Sequence, residues 1–161
     1  MIDKVLADIL QTEISIPAGH IVVNNQNYKP DKDDIPWWVI VFFSSKPIGN
    51  SNVFNHATEE QEQATTFYTK VNIEVKGKTR DVITAAMLTA AALNSNYAVQ
   101  KMEENYIRIF RPGEAMDLSE VDGASSLHRW RIPVTITHMV TKQSLTDLFE
   151  NFQTPEVLNE N

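Results

Sequence analysis

Arg129, Trp130 and Arg131 are the residues of this chain whose types and spacing carry most chemical content. On a strand, successive side chains alternate, so both guanidiniums emerge on one face and the indole on the other. Two planar donor forks side by side suit carboxylates. The carboxylate can come from a neighbouring copy, which makes Arg129, Arg131 and Glu74 subunit-interface candidates. It can also come from Glu74 or Glu103 of the same chain, as a cross-strand pair. The Trp37-Trp38 pair poses a related question. One ring turns inward and the other outward, and an outward Trp is either sheet cover or an interface anchor, so Trp37 joins the interface candidates.

Other reactive residue types lack a pattern. The four histidines, at 20, 56, 128 and 138, do not fall at helical or strand spacing with a third ligand. His128 and His138 share a strand face, but ten residues of strand separate them by roughly 33 Å, too far to chelate one metal ion. Glu59, Glu60 and Glu62, with Glu114, Asp117, Glu120 and Asp122, read as solvated acidic loops. The second group has neither the Asp-x-Asp-x-Asp-Gly run nor the closing Glu of a calcium loop. Ser44-Ser45 follows an apolar stretch without the Gly-x-Ser-x-Gly elbow. The five glycines include no phosphate-cradling loop. No enzyme, metal or cofactor is expected on these grounds.

The chain has 161 residues, enough for one domain with a single core, and no cysteine, which rules out disulfides and thiolate chemistry. No apolar run reaches the ~20 residues a bilayer-spanning helix needs, and Met1-Ile2-Asp3-Lys4 does not open a secretory signal. The net charge of −7 argues against gripping nucleic acid through its phosphates, while leaving nucleic acid free to pass by. Asp147, Glu150, Glu156 and Glu160 follow Lys142 with no basic residue among them. They read as a solvated tail or as one that docks on a neighbouring subunit.

The elements that must position these residues follow from periodicity. Residues 2–14 form an amphipathic helix with Ile2, Val5, Leu6, Ile9 and Leu10 on one face, ended by Pro17-Ala18-Gly19. Asn24 to Pro30 is a loop. Trp37 to Phe43, apolar throughout, is a strand opened by Pro36, either a central strand buried on both faces or one face of an interface. Residues 44–62, rich in Ser, Asn, Pro and Gly, read as a long aperiodic loop. A strand over 63–76 alternates, with Val71, Ile73 and Val75 on one face. Gly77 permits a tight turn, and Thr79 or Asp81 caps a helix over 81–93 that lays Val82, Ile83, Ala86, Met87, Ala90 and Leu93 on one side. A second helical piece runs from Ala98 to Glu104, and Tyr106 to Arg111 is a short strand. Residues 112–125 form a second long loop. Arg129 to Val140 is the last strand, and a helix closes the chain near Leu145 to Phe152. This order gives a single-domain α+β fold: a mixed, mainly antiparallel sheet packed against helices on one side, with two long loops. Residues 1–145 make the domain and 146–161 an acidic tail or short helix.

The arrangement resembles the tail terminator proteins of long-tailed bacteriophages. The resemblance rests on the N-terminal helix, Gln26-Asn27, Pro36-Trp37-Trp38, the unit from Phe67 through Gly77 to Leu93, the strand at Tyr106 to Arg111, the acidic loop and the Arg129-led strand. It implies a structural virion protein that caps the head-proximal end of the tail tube and stops its polymerisation. It also implies a homo-oligomeric ring, six subunits in that family, between the tube protein and the head-completion or neck protein. DNA would pass through the channel without specific binding. The expected location is the virion tail, and the host cytoplasm during assembly, with no membrane. On this reading the two loops are partner-contact candidates: Pro47, Asn50 and Phe54 on the first, Glu114, Asp117 and Asp122 on the second. A tail tube or minor tail subunit is the rival within assembly proteins. A small ligand-binding or enzymatic domain is the rival from another class.

Overall fold

The computed structural model describes residues 2–17, 19–24, 35–55, 60–122 and 125–145. In chain order these give α1 (Ile2–Ile14), β1 (Ile21–Val23), β2 (Trp37–Asn55), β3 (Glu60–Gly77), α2 (Asp81–Ala92), α3 (Asn96–Glu104), β4 (Ile107–Ile109), β5 (Met116–Asp117), β6 (Glu120–Asp122) and β7 (Ser125–Leu145). The sheet runs β1-β2-β3-β7-β4, with β5 and β6 also pairing to β7. Among the described residues only the β1–β2 pairing is parallel; the other strand pairs are antiparallel. The expected α+β architecture is borne out.

One sheet face and three helices share one core. Strand alternation puts Trp38 and Ile40 of β2, Val71, Ile73 and Val75 of β3, and Ile132, Val134 and Ile136 of β7 on the same side, where α1 supplies Val5, Leu6, Ile9 and Leu10. The indole N–H of Trp38 donates to Thr89 Oγ1 at 2.8 Å, and that hydroxyl donates to the Ala85 carbonyl, so a polar pair is buried without an orphan.

Helix α2 is rotated from the sequence expectation. Its buried residues are Val82, Ala85, Ala86, Thr89 and Ala92, while Met87 and Leu88 are exposed. Small residues face the sheet because they let the helix approach it closely, a preference that a count of apolar residues does not contain. Its start is uncapped: Arg80 occupies the cap position, and Thr79 Oγ1 donates to Asp81 Oδ2 instead. Ser95 caps α3 by accepting the Ala98 N–H. Gly77 has no left-handed backbone. It is small because a Cβ there would stand 2.8 Å from Val82 Cγ2.

The largest correction concerns residues 44–62. Their described part is strand. β2 continues to Asn55 and pairs with β3 down to Asn55↔Glu60, and β3 pairs with β7 to Glu60↔Leu145. Beyond the helices these three strands form an arm. β2 carries irregularities between Phe42 and Ser44 and between Pro47 and Gly49, which leave Phe43 and Ile48 outside the register. Bulges and a proline blunt a strand edge, which otherwise invites pairing with another chain. The second expected loop, 112–125, likewise contains the short strands β5 and β6. The helix expected near 145–152 and the acidic tail lie outside the described residues, apart from Leu145, which ends β7 as strand.

Candidate functional surfaces

The sheet face opposite the helices holds an ion cluster. Glu74 in β3 stands across from Arg131 in β7, and Lys76 across from Arg129. The register therefore delivers all four side chains to one patch. Arg129 donates from Nε and Nη2 to Glu74 at 2.8 to 3.1 Å, and Arg131 does the same at 2.8 and 3.0 Å. Lys76 Nζ lies 3.1 Å from Glu74 Oε2. Of the two same-chain carboxylates, Glu74 is the one engaged, while Glu103 is exposed on α3.

The Glu74 side chain is only 4% exposed. Burial pushes its pKa up, but the hydrogen bonds from Arg129, Arg131 and Lys76 outweigh it and bring the value down to about 2. The carboxylate is thus ionised at neutral pH and fixes the two guanidiniums in place. Their side chains remain 30% and 31% exposed, with three cations around one carboxylate. Trp37 sits beside this patch, opposite Lys76 in the register. It is buried and stacks on His20 at 4.3 Å between ring centroids.

The two sets of partner-contact candidates lie far apart. Pro47 and Asn50 are exposed on the arm, and Phe54 falls in its β2 strand. Glu114 is exposed just before β5, Asp117 lies in β5 and Asp122 in β6. Asp117 accepts the Ser119 N–H and O–H, which hold its carboxyl below its ordinary value. Through the registers Asn50↔Thr65↔Val140 and Asp117↔Trp130, the two sets stand ten residues apart on β7, about 33 Å.

At the arm's root an open groove of about 570 Å³ is lined by Ile2, Val23, Phe42, His138, Met139 and Val140, among others. His138 stacks on Phe67, and burial lowers its pKa. Among the described residues no three His, Asp or Glu side chains gather as a metal-ion site. No single helix there is long and apolar enough to cross a membrane.

Sequence reasoning missed the arm because Ser, Asn, Gly and Pro fill its outer strand. One signal was available. A strand as long as β3 cannot be paired along its length by a partner that stops at Phe43.

The described fold pairs a long exposed arm with a charged sheet face. Residues 2–160 match the family model described as phage neck terminator protein, and the chain belongs to that family. The resemblance read from the sequence is thereby borne out. Among solved structures, the chain is similar to the sheath/tube terminator of an extracellular contractile injection system, PVC, in its extended state. The TM-score is 0.50 at 10% identity, covering 89% of this chain and 58% of that one. The likeness is therefore one of fold, and the chain spans little more than half of that protein's length. The fimbrial biogenesis protein PilO from Pseudomonas aeruginosa shares 12% identity over 86% of this chain and 67% of its own, at a TM-score of 0.29, too low to carry weight. No curated protein sequence matches the chain.

Proposed function

We propose that this chain is the subunit of a closed ring, six copies by family resemblance, that seats on the head-proximal end of a phage tail tube and ends its polymerisation. The observation that carries the proposal is the family match over residues 2–160. The ring would join the tube protein on one face to a head-completion or neck protein on the other, and DNA would pass through its channel. The chain performs no catalysis on this reading. It belongs to the virion tail and, during assembly, to the host cytoplasm.

Termination is then a matter of unequal faces. One face gains buried area on the last tube ring; the other offers no such complement, so no further tube ring gains by adding. A ring closes through head-to-tail contacts between different patches of each copy. The arm and the charged sheet face, at separate ends of β7, are two such patches. The charge of −7 suits a channel wall that repels phosphate and lets DNA slide.

Light scattering on a size-exclusion column, with electron microscopy of purified tail tubes after addition of the protein, tests the proposal. The expected result is a mass near six subunits and tubes capped at one end. Long stacks of rings would favour a tube subunit instead, and tubes left uncapped would overturn the terminator reading.

A further inference from the structure

We infer that the cluster of Arg129, Arg131 and Lys76 is a receiving site for the acidic segment around Asp147 and Glu150 of a second copy. The inference rests on the ring reading in needing that second copy. Three cations surround one carboxylate, and Glu74 already spends both its oxygens on them. Each guanidinium bonds through Nε and Nη2, leaving its Nη1 without a partner among the described residues. A guanidinium has five N–H donors in a rigid fork, so each keeps capacity for another carboxylate. Because Glu74 fixes both forks, little side-chain freedom is lost when an acid arrives.

The chain carries the complementary segment. After Lys142 come Asp147, Glu150, Glu156 and Glu160 with no Lys or Arg. Geometry decides which copy supplies it. Arg129 and Leu145 lie in the same strand, 16 residues apart, which is about 53 Å at ~3.3 Å per residue. Glu150, five residues past Leu145, reaches at most ~18 Å from it even fully extended. Neither Asp147 nor Glu150 can return to its own Arg129 and Arg131. A head-to-tail neighbour has no such restriction, since its Leu145 end can stand beside this copy's cluster.

The absence of native cysteine makes the test clean. Met116 is exposed and opposite Arg131 in the register, so Met116→Cys in one chain reports on the receiving face. Asn151→Cys in another chain reports on the segment beside Glu150. The two full-length single-cysteine chains are mixed, oxidised and resolved on a non-reducing gel. The expected result is a mixed disulfide forming ~5-fold or more faster than either homodimer, because docking raises the local concentration of the two thiols. Adding Asp147→Asn and Glu150→Gln to the second chain should return the rate to the homodimer level. A mixed disulfide no faster than the homodimers, or one indifferent to those two substitutions, would overturn the inference. Light scattering on the same samples separates the two failures. A closed assembly without the mixed preference removes this contact alone, whereas a monomer at every concentration removes the ring reading with it.

Discussion

From Trp37 to Ile40, β2 buries every side chain; from Phe43 to Asn52 it leaves every one exposed. β3 and β7 run through the same two regions beside it. In the body, one sheet face is sealed by α1, α2 and α3 around residues such as Leu6, Ile40, Ile73 and Ile132. In the arm, the strands keep their backbone pairing from Ser44↔Lys70 to Asn55↔Glu60 while the β2 side chains from Phe43 to Asn52 stay exposed. The difference separates two contributions to a sheet. Backbone pairing extends the ladder, while apolar burial supplies most of the stability. The arm satisfies its hydrogen bonds and adds little to the core, which leaves its side chains available to a partner.

That contrast can be broken by measurement. Leu6→Ala, at a fully buried position, should cost about 3 kcal/mol in urea denaturation. Ile48→Ala, at a bulge with half its side chain in solvent, should cost under about 0.5 kcal/mol. Equal losses at the two sites would show that the arm shares the body's core energetics.

The ion cluster sharpens the comparison, because it places a buried charge in the body on the face the helices do not cover. Glu74→Gln should destabilise by about 2 to 3 kcal/mol at neutral pH, by leaving three cations without their counter-charge. The pH dependence has a definite sign. The folded pKa of Glu74, about 2, lies below the ordinary 4.5, so its contribution is complete above pH 4.5 and disappears as pH falls toward 2. The wild-type and Glu74→Gln stability curves should therefore converge over that window. Parallel curves through it would mean that the cluster does not hold the carboxylate ionised.

A smaller effect than at Leu6 or Glu74 is expected at Trp38. Trp38→Phe keeps most of the ring but removes the N–H that reaches Thr89 Oγ1, and should cost about 1 kcal/mol by the same denaturation. A loss of several times that value would instead mean that the smaller ring fails to fill the space between β2 and α2.

How far the sequence could be read depended on what held each element. Helix α1 was legible in full, since Ile2, Val5, Leu6, Ile9 and Leu10 repeat at helical spacing and all are buried. The apolar faces of β3 and β7 were legible for the same reason at period two. Met87 was misplaced because helical periodicity gives a stripe but not its exact centre, and small residues at 85, 86, 89 and 92 decided the rotation. The Glu74 pairing was one of two same-chain alternatives in the sequence. Only the β3–β7 register, one residue of which would have turned Glu74 to the other face, selected it.

By itself, then, the sequence determined the class: an α+β sheet with an apolar face, an acidic surface, and a family resemblance borne out over residues 2–160. These follow from patterns of side-chain type, which depend on near neighbours along the chain. Tertiary structure alone decided the arm and the ion cluster. A strand made of Ser, Asn, Gly and Pro is held by pairing with β3, and β3 by β7, across tens of residues of chain. Hydrogen bonds between distant backbones leave no periodic trace in the residues they join, so only the folded register reveals them.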